Sequence, residues 1–314
     1  MNVERASPWP RSTATNFEKT RDGRPLSLNR QPRESLRPWV SNVYGIHVVS
    51  VSGRLRQCGI FAENAVLRVL LEGDWGADTA DGPQSYGRQA LLFGPNARRL
   101  PVSVSGNIAT VGLALKPGAV HALRGPALAS LNDRVLPYAQ LGWDEAALMA
   151  RFSPADSVEQ WMDALEDCME LLVSQLNPRE PSEISAEFNR IAFDDPNIAV
   201  SECAAMLGVE LRKLERVVKR DFGLSPKRVL RRARALDMAA HMCGVADQEE
   251  ADELALRYFD QSHLNREFTE LFGMTPMQFV RTPQPLMTIS LEGRQARRLE
   301  ALDRIAEGAK RPWQ

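Results

Sequence analysis

Two short stretches of this sequence carry polar side chains at spacings suited to contact with an extended polyanion. Between Glu210 and Asp221, Leu211, Leu214 and Val218 recur at i, i+3 and i+7, which marks one face of a helix. Arg212, Lys213, Arg216, Lys219 and Arg220 fall away from that stripe. A guanidinium can pair bidentately with guanine, whereas Lys mostly holds phosphate. Between Gln261 and Phe272 the outward set is Gln261, Ser262, His263, Asn265 and Arg266. These groups can hydrogen-bond base edges but bring little phosphate attraction. All ten are candidates for contact with duplex DNA.

Charge placement separates the two stretches. Over the whole chain 39 Lys and Arg face 40 Asp and Glu, a net charge of -1 that excludes a uniformly basic coat. Residues 210 to 234 nevertheless hold ten Lys and Arg against Glu210, Glu215 and Asp221, a local +7. Residues 247 to 260 hold six acids against Arg257 alone.

Other chemistries lack their residue sets. Cys58, Cys168, Cys203 and Cys243 form no CxxC pair, so free thiols in a reducing compartment are expected. His47 and His121 lack the His-x-His cluster of a cupin metal site, and His263 has no second ligand at i+3 or i+4. No Ser/His/Asp set, P-loop or dinucleotide fingerprint occurs, so neither enzymatic activity nor a cofactor or metal is expected. Neither a signal peptide nor a membrane-length apolar run is found, which predicts a soluble, cytoplasmic protein with no membrane partner.

The elements that must position the polar stretches follow from punctuation and period. Residues 1 to 38, broken by five prolines, read as a disordered polar tail. From Val43 to Leu115, short apolar runs (Ile46 to Val51, Val66 to Leu71, Gln89 to Phe93, Val102 to Val104, Ile108 to Leu115) alternate with Gly, Pro, Asn and Asp, which predicts an antiparallel sheet or small barrel. Beyond Lys116-Pro117-Gly118 the pattern turns helical. Ser157 to Leu176 carries Trp161, Leu165, Cys168, Leu172 and Leu176 on one stripe, a candidate for either core packing or a dimer interface. Asn177-Pro178 and Pro181 mark a linker, and a charged helix is expected from Glu292 to Glu307.

A repeat organises the helical part. Phe222-Gly223-Leu224-Ser225-Pro226 recurs fifty residues later as Phe272-Gly273-Met274-Thr275-Pro276, with Leu214 mapping onto Leu264 and Val218 onto Phe268. Each copy reads as helix, tight turn, helix. In the first, Ala204 and Ala205 allow close helix crossing, Gly208 permits the turn, Gly223 ends the second helix and Ser225 caps the next. Pro226 to Met242 predicts a continuous connector with Lys227, Arg228, Arg231, Arg232 and Arg234 outward.

On these residues the segment 184 to 282 resembles the AraC/XylS family of bacterial transcriptional regulators. Asp260 to Phe268, followed by Phe272 to Pro276, is similar to the family's second-unit signature, and Leu214 to Leu236 to its first recognition helix and connector. The resemblance implies a seven-helix domain of two helix-turn-helix units fused to a sensing or dimerising domain. Where the family has a glycine and a longer turn, Ala255-Leu256-Arg257-Tyr258 runs straight into Phe259-Asp260. The first unit is therefore expected to dominate binding.

The expected architecture is α+β. A disordered tail (1–38) precedes a mainly-β sensing or dimerisation domain with a helical extension (40–176). An all-α double helix-turn-helix domain (184–282) follows, and then a C-terminal extension (283–314). The expected function is sequence-specific regulation of transcription from bacterial promoters. Partners would be double-stranded promoter DNA, a small-molecule effector at the N-terminal domain, a second copy as homodimer, and RNA polymerase if the output is activation. The competing reading is an enzyme-like or adaptor N-terminal domain tethered to DNA by a degenerate helix-turn-helix module.

Overall fold

The computed structural model describes residues 27–49, 56–246, 261–282 and 284–306. The acidic run 247–260, with its shortened turn, lies outside them.

Eight antiparallel strands form one sheet: β1 (Ser27–Arg30), β2 (Val40–Val48), β3 (Arg56–Ile60), β4 (Val66–Thr79), β5 (Gly82–Tyr86), β6 (Gln89–Phe93), β7 (Leu100–Leu115) and β8 (Val135–Pro137). The main path runs β1-β2-β7-β4-β6-β8, with β3 on β7 and β5 on β4. The two long strands are its spine. One edge of β7 takes β2 along its second half and β3 along its first. Expected breaks at Gly73 and between Val104 and Ile108 do not end strands. Gly73 adopts φ +97° and the β4–β7 register shifts around it, so a bulge carries the strand onward. Residues 27–37, expected as tail, belong to the sheet domain. β1 pairs with β2 from Ser27 to Arg30, and Arg33 donates its backbone N–H to the buried Glu166 carboxylate at 2.7 Å.

Helices cover both sheet faces. After the short α1 (Ala119–Ala122) and α2 (Glu145–Met149), α3 (Val158–Leu176) starts at a capping box of Ser157 and Gln160. Its stripe of Trp161, Leu165 and Met169 packs with Val43, Val69, Val111 and Leu113 in one core. The stripe expected as a possible dimer surface is thus used within the chain. Gly45 is required there, since a Cβ would stand 2.2 Å from Val158 Cγ1 of α3.

The C-terminal helices are α4 (Glu183–Asp194), α5 (Val200–Met206), α6 (Leu211–Phe222), α7 (Pro226–Met242), α8 (Gln261–Phe272), α9 (Pro276–Arg281) and α10 (Pro285–Ala301). The last was expected to start at Glu292; Pro285 at its first position starts it earlier. α10 does not extend outward. Leu286 and Ile289 pack on the second sheet face, beside Ile46, Trp75, Phe93 and Val104. Met287 and Leu291 join the core of α7, α8 and α9, into which Phe61 inserts from the sheet domain. The two halves therefore share cores, although their sequence patterns divide cleanly. Among the described residues no helix is long and apolar enough to cross a membrane.

Candidate nucleic-acid interface

The first helix-turn-helix unit is built on a small apolar corner. Phe188 and Ile191 of α4, Cys203 and Ala204 of α5, and Leu214, Val218 and Phe222 of α6 form one core with Leu224, Val229 and Leu230. Cys203 and Ala204 make the close crossing, while Ala205, expected beside Ala204, is exposed. Gly208 takes φ +62° between α5 and α6, and Gly223 takes φ +73° after α6. The apolar side of α6 is fixed in this way, and its polar side follows from the helix period.

Arg212, Lys213, Arg216 and Lys219 all lie on that exposed side, and none has a hydrogen bond or ion pair among the described residues. They form a ridge of cations free to meet phosphates and base edges. Arg220 differs. Its Nε and Nη2 donate to Asp221 Oδ1 and Oδ2 at 2.6 and 2.8 Å, and Asp221 is fully buried. The Ser185 hydroxyl donates to the same carboxylate at 2.6 Å. Hydrogen bonding to Asp221 pushes the Arg220 pKa up. Neutralising a buried acid is thus one task of Arg220, which the sequence set only beside the other four.

The connector α7 departs further from expectation. Of its four arginines expected outward, Arg232 is buried and Arg231 and Arg234 are half-buried in ion pairs with α8. Arg232 is buried and donates to the Asn96 and Glu63 carbonyls at 2.9 and 2.8 Å. Burial pushes its pKa down to about 10. Arg234 donates to the Pro196 carbonyl at 2.9 Å and pairs with the buried Glu267 of α8 at 3.1 Å. Arg231 pairs with Glu270. The connector therefore supplies counter-charges to α8, and only Lys227 and Arg228 remain exposed on its first turn. A helical period separates apolar from polar faces but cannot show that a second element covers part of the polar one.

In the second unit, Phe268 stacks on Phe272 at 4.1 Å and both are buried, matching Val218 and Phe222 of the first unit. Gly273 repeats the left-handed turn at φ +69°. Thr275 caps α9 in a capping box with Gln278, whereas Ser225 occupies the equivalent position before α7 without a side-chain cap bond. Arg266 is exposed and Asn265 half-buried. The side chains of Gln261, Ser262 and His263 lie outside the described residues.

The sheet domain flanks α6. Gly118 N–H donates to the Asp221 carbonyl at 3.2 Å, and Asn132 Nδ2 donates to the Gly223 carbonyl at 2.7 Å. Arg216 and Arg220 line the grooves between α6 and residues 118–129. Among the described residues no group of three or more His, Cys, Asp and Glu could hold a metal ion.

Residues 203–282 match the family model described as a helix-turn-helix domain. This segment is a helix-turn-helix domain. The match begins inside α5 and ends just after α9, so it spans α6, α8 and the connector between them. No curated protein matches the chain. Among solved structures, the chain is similar to ToxT from Vibrio cholerae, at 10% identity over 76% of this chain and 98% of that one, TM-score 0.43. The C-terminal domain of AraT from Geobacillus stearothermophilus is 20% identical over 34% of this chain and 90% of its own, TM-score 0.28. The AraC-like transcriptional activator CuxR is 13% identical over 73% and 91%, TM-score 0.26. These are distant likenesses.

Proposed function

We propose that the chain is a sequence-specific transcription factor that binds bacterial promoter DNA through two helix-turn-helix units, with α6 leading. One observation carries this reading: four exposed cations, Arg212, Lys213, Arg216 and Lys219, stand unpaired on the second helix of a helix-turn-helix unit. Arg212 and Arg216 are assigned to base edges and Lys213 and Lys219 to phosphate. Arg220 contributes a further contact from its Asp221 pair. Gln261, Ser262, His263, Asn265 and Arg266 of α8 meet a second major-groove window, about 34 Å along the duplex. Their contribution is smaller, because Glu267 and Glu270 already draw on the connector's arginines.

The sheet domain with α3, residues 27–176, is the sensing half, and residues 184–282 are the DNA-binding half. A small-molecule effector, a second copy of the chain and, for an activating output, RNA polymerase are its further partners. The cytoplasm is its place of action, and catalysis has no part in it. Selection of duplexes from a random pool by the full chain tests the reading. Enrichment of one sequence, lost in the variant Arg212→Ala/Arg216→Ala, is the expected result. Binding without enrichment, or enrichment unchanged in the variant, overturns it.

A further inference from the structure

One side of α6 turns toward the sheet domain. Lys213, Arg216 and Arg220 border a groove whose other wall holds His121 in α1, Arg124 just after it, and Arg179 of the linker that follows α3. Arg216 and Arg220 also border a neighbouring groove, where Lys219 joins them opposite residues 126–129. From Lys116 to Asn132 the sheet domain carries Lys116, His121 and Arg124 and no acid. Among the described residues, Glu180 is the only acid lining either groove.

The walls are fixed without using these cations. Gly118 N–H donates to the Asp221 carbonyl and Asn132 Nδ2 to the Gly223 carbonyl, while Trp39 Nε1 donates to the Arg179 carbonyl at 3.2 Å. The exposed Arg179 side chain has neither a hydrogen bond nor an ion pair among the described residues. Arg124 is also exposed, and its guanidinium makes one bond, from Nη2 to the Leu176 carbonyl at 3.3 Å. With Arg220 committed to Asp221, four cations (Arg124, Arg179, Lys213 and Arg216) face Glu180 alone. A concave surface of one sign focuses its field outward, toward a polyanion.

A helix with its side chains is about 10–12 Å across, and the major groove is about 12 Å wide, so a seated helix has a phosphate strand on each side. We propose that the sheet domain and the linker bind DNA themselves: Arg124 and Arg179 hold phosphates of the strand on the Lys213 side of α6. Continuity favours a duplex over a separate small anion, since three cations of the groove belong to α6 and Arg216 borders both grooves. The inference rests on α6 meeting DNA and adds that the sensing half touches the same duplex. A movement of the sheet domain against α6 then changes DNA affinity directly.

Fluorescence anisotropy titrations of the full chain, wild type and Arg124→Gln/Arg179→Gln, onto a selected and a scrambled duplex at several salt concentrations test the proposal. Phosphate contacts carry no sequence information, so the variant should lose affinity for both duplexes by the same factor. Its slope of log affinity against log salt should be shallower by about 1.8, two contacts at about 0.9 each. Ethylation interference should place the phosphates that matter to the wild type but not to the variant beside those lost in Lys213→Ala. Arg179→Gln alone removes no bond that folding needs, so it should unfold like the wild type and still lower the slope by about 0.9. Unchanged slope and affinity in the double variant, or a loss confined to the selected duplex, overturns the proposal and leaves the transcription-factor reading standing. A slope that falls in the variant although the wild type prefers no sequence upholds the phosphate contacts and overturns that reading. A wild-type chain that binds no duplex overturns both.

Discussion

Replacing Arg294 by Met tests whether the two halves are locked together electrostatically. Arg294 is 3% exposed and bridges Glu63, which precedes β4, to Asp237 of α7, which is 2% exposed. Met keeps most of the volume and removes both charge-assisted bonds, each worth about 1.5–3 kcal/mol. Part of that loss is offset because a buried guanidinium no longer needs desolvating. The Asp237 carboxylate retains only Gln295 Nε2 at 3.3 Å, and the Glu63 carboxylate retains no other hydrogen bond among the described residues. The net expectation is a loss of about 3–5 kcal/mol at pH 7, the range for breaking a buried pair by removing one partner.

The pH dependence of that loss has a definite sign. Burial raises the Glu63 pKa, but Arg294, Arg232 and Arg297 outweigh it and hold the carboxyl below its ordinary value. In the wild type this group therefore adds stability above the unfolded pKa of about 4.3, lost as pH falls through the folded value. In Arg294→Met burial gains ground, so Glu63 titrates higher than in the wild type and Asp237 loses its counter-charge. Ionised Glu63 is then less favourable at neutral pH than in the wild type, and its protonation relieves that difference. The gap between variant and wild type should narrow as pH falls from about 7 toward 5. Urea unfolding followed by tryptophan fluorescence reads it. Adding Glu63→Gln and Asp237→Asn to the variant should recover at least half of the loss. A deficit under about 1 kcal/mol, or one independent of pH, would refute the lock.

Three further outcomes follow from local geometry. Gly223→Ala should cost well over 1 kcal/mol, because it adds a Cβ 2.7 Å from Asn132 Oδ1 to a backbone at φ +73°, whereas Gly273→Ala meets only its φ of +69° and should cost about 1 kcal/mol; denaturant midpoints compare them. Thr275→Ala removes a formed capping box and should lower stability by about 1 kcal/mol, while Ser225→Ala, with no cap bond to lose, should change it by less than about half as much. On a selected duplex, Arg212→Ala and Arg216→Ala should each cost about 1–3 kcal/mol of specific affinity in fluorescence anisotropy titrations, with Arg220→Ala instead showing its main effect on stability, because buried Asp221 loses its counter-charge.

The inner stripe of α6 and the fifty-residue repeat were legible because a helix records its buried face in a local period. Leu214 and Val218 lie on the buried side as that period requires, whereas Leu211, expected on the same stripe, is exposed at the first residue of α6. What escaped were contacts between elements far apart in sequence. Arg232 looks outward by period and is buried, because residues 63 and 96 of the sheet domain reach over α7 and offer it their carbonyls. The C-terminal extension read as a charged helix, and Arg294 and Arg298 are among its buried residues. Arg298 Nε donates to the Phe193 carbonyl at 2.6 Å. In the sheet, the apolar run Val66 to Leu71 marked only part of a strand, and bulging around Gly73 let β4 continue to Thr79. A lone arginine carries no local mark of whether its partner is water, a distant carbonyl or a carboxylate.

The central claim, that the exposed cations of α6 meet DNA, is tested most directly by the salt dependence of binding. The full chain and the variant Arg212→Ala/Lys213→Ala/Arg216→Ala/Lys219→Ala would be titrated onto one selected duplex across a range of salt concentrations. Each phosphate contact contributes about 0.9 to the slope of log affinity against log salt. With Lys213 and Lys219 on phosphate, the variant's slope should be shallower by about 2, and by up to about 3.6 if all four residues make phosphate contacts. Specific affinity should fall at every salt concentration. An unchanged slope with unchanged affinity would contradict the account.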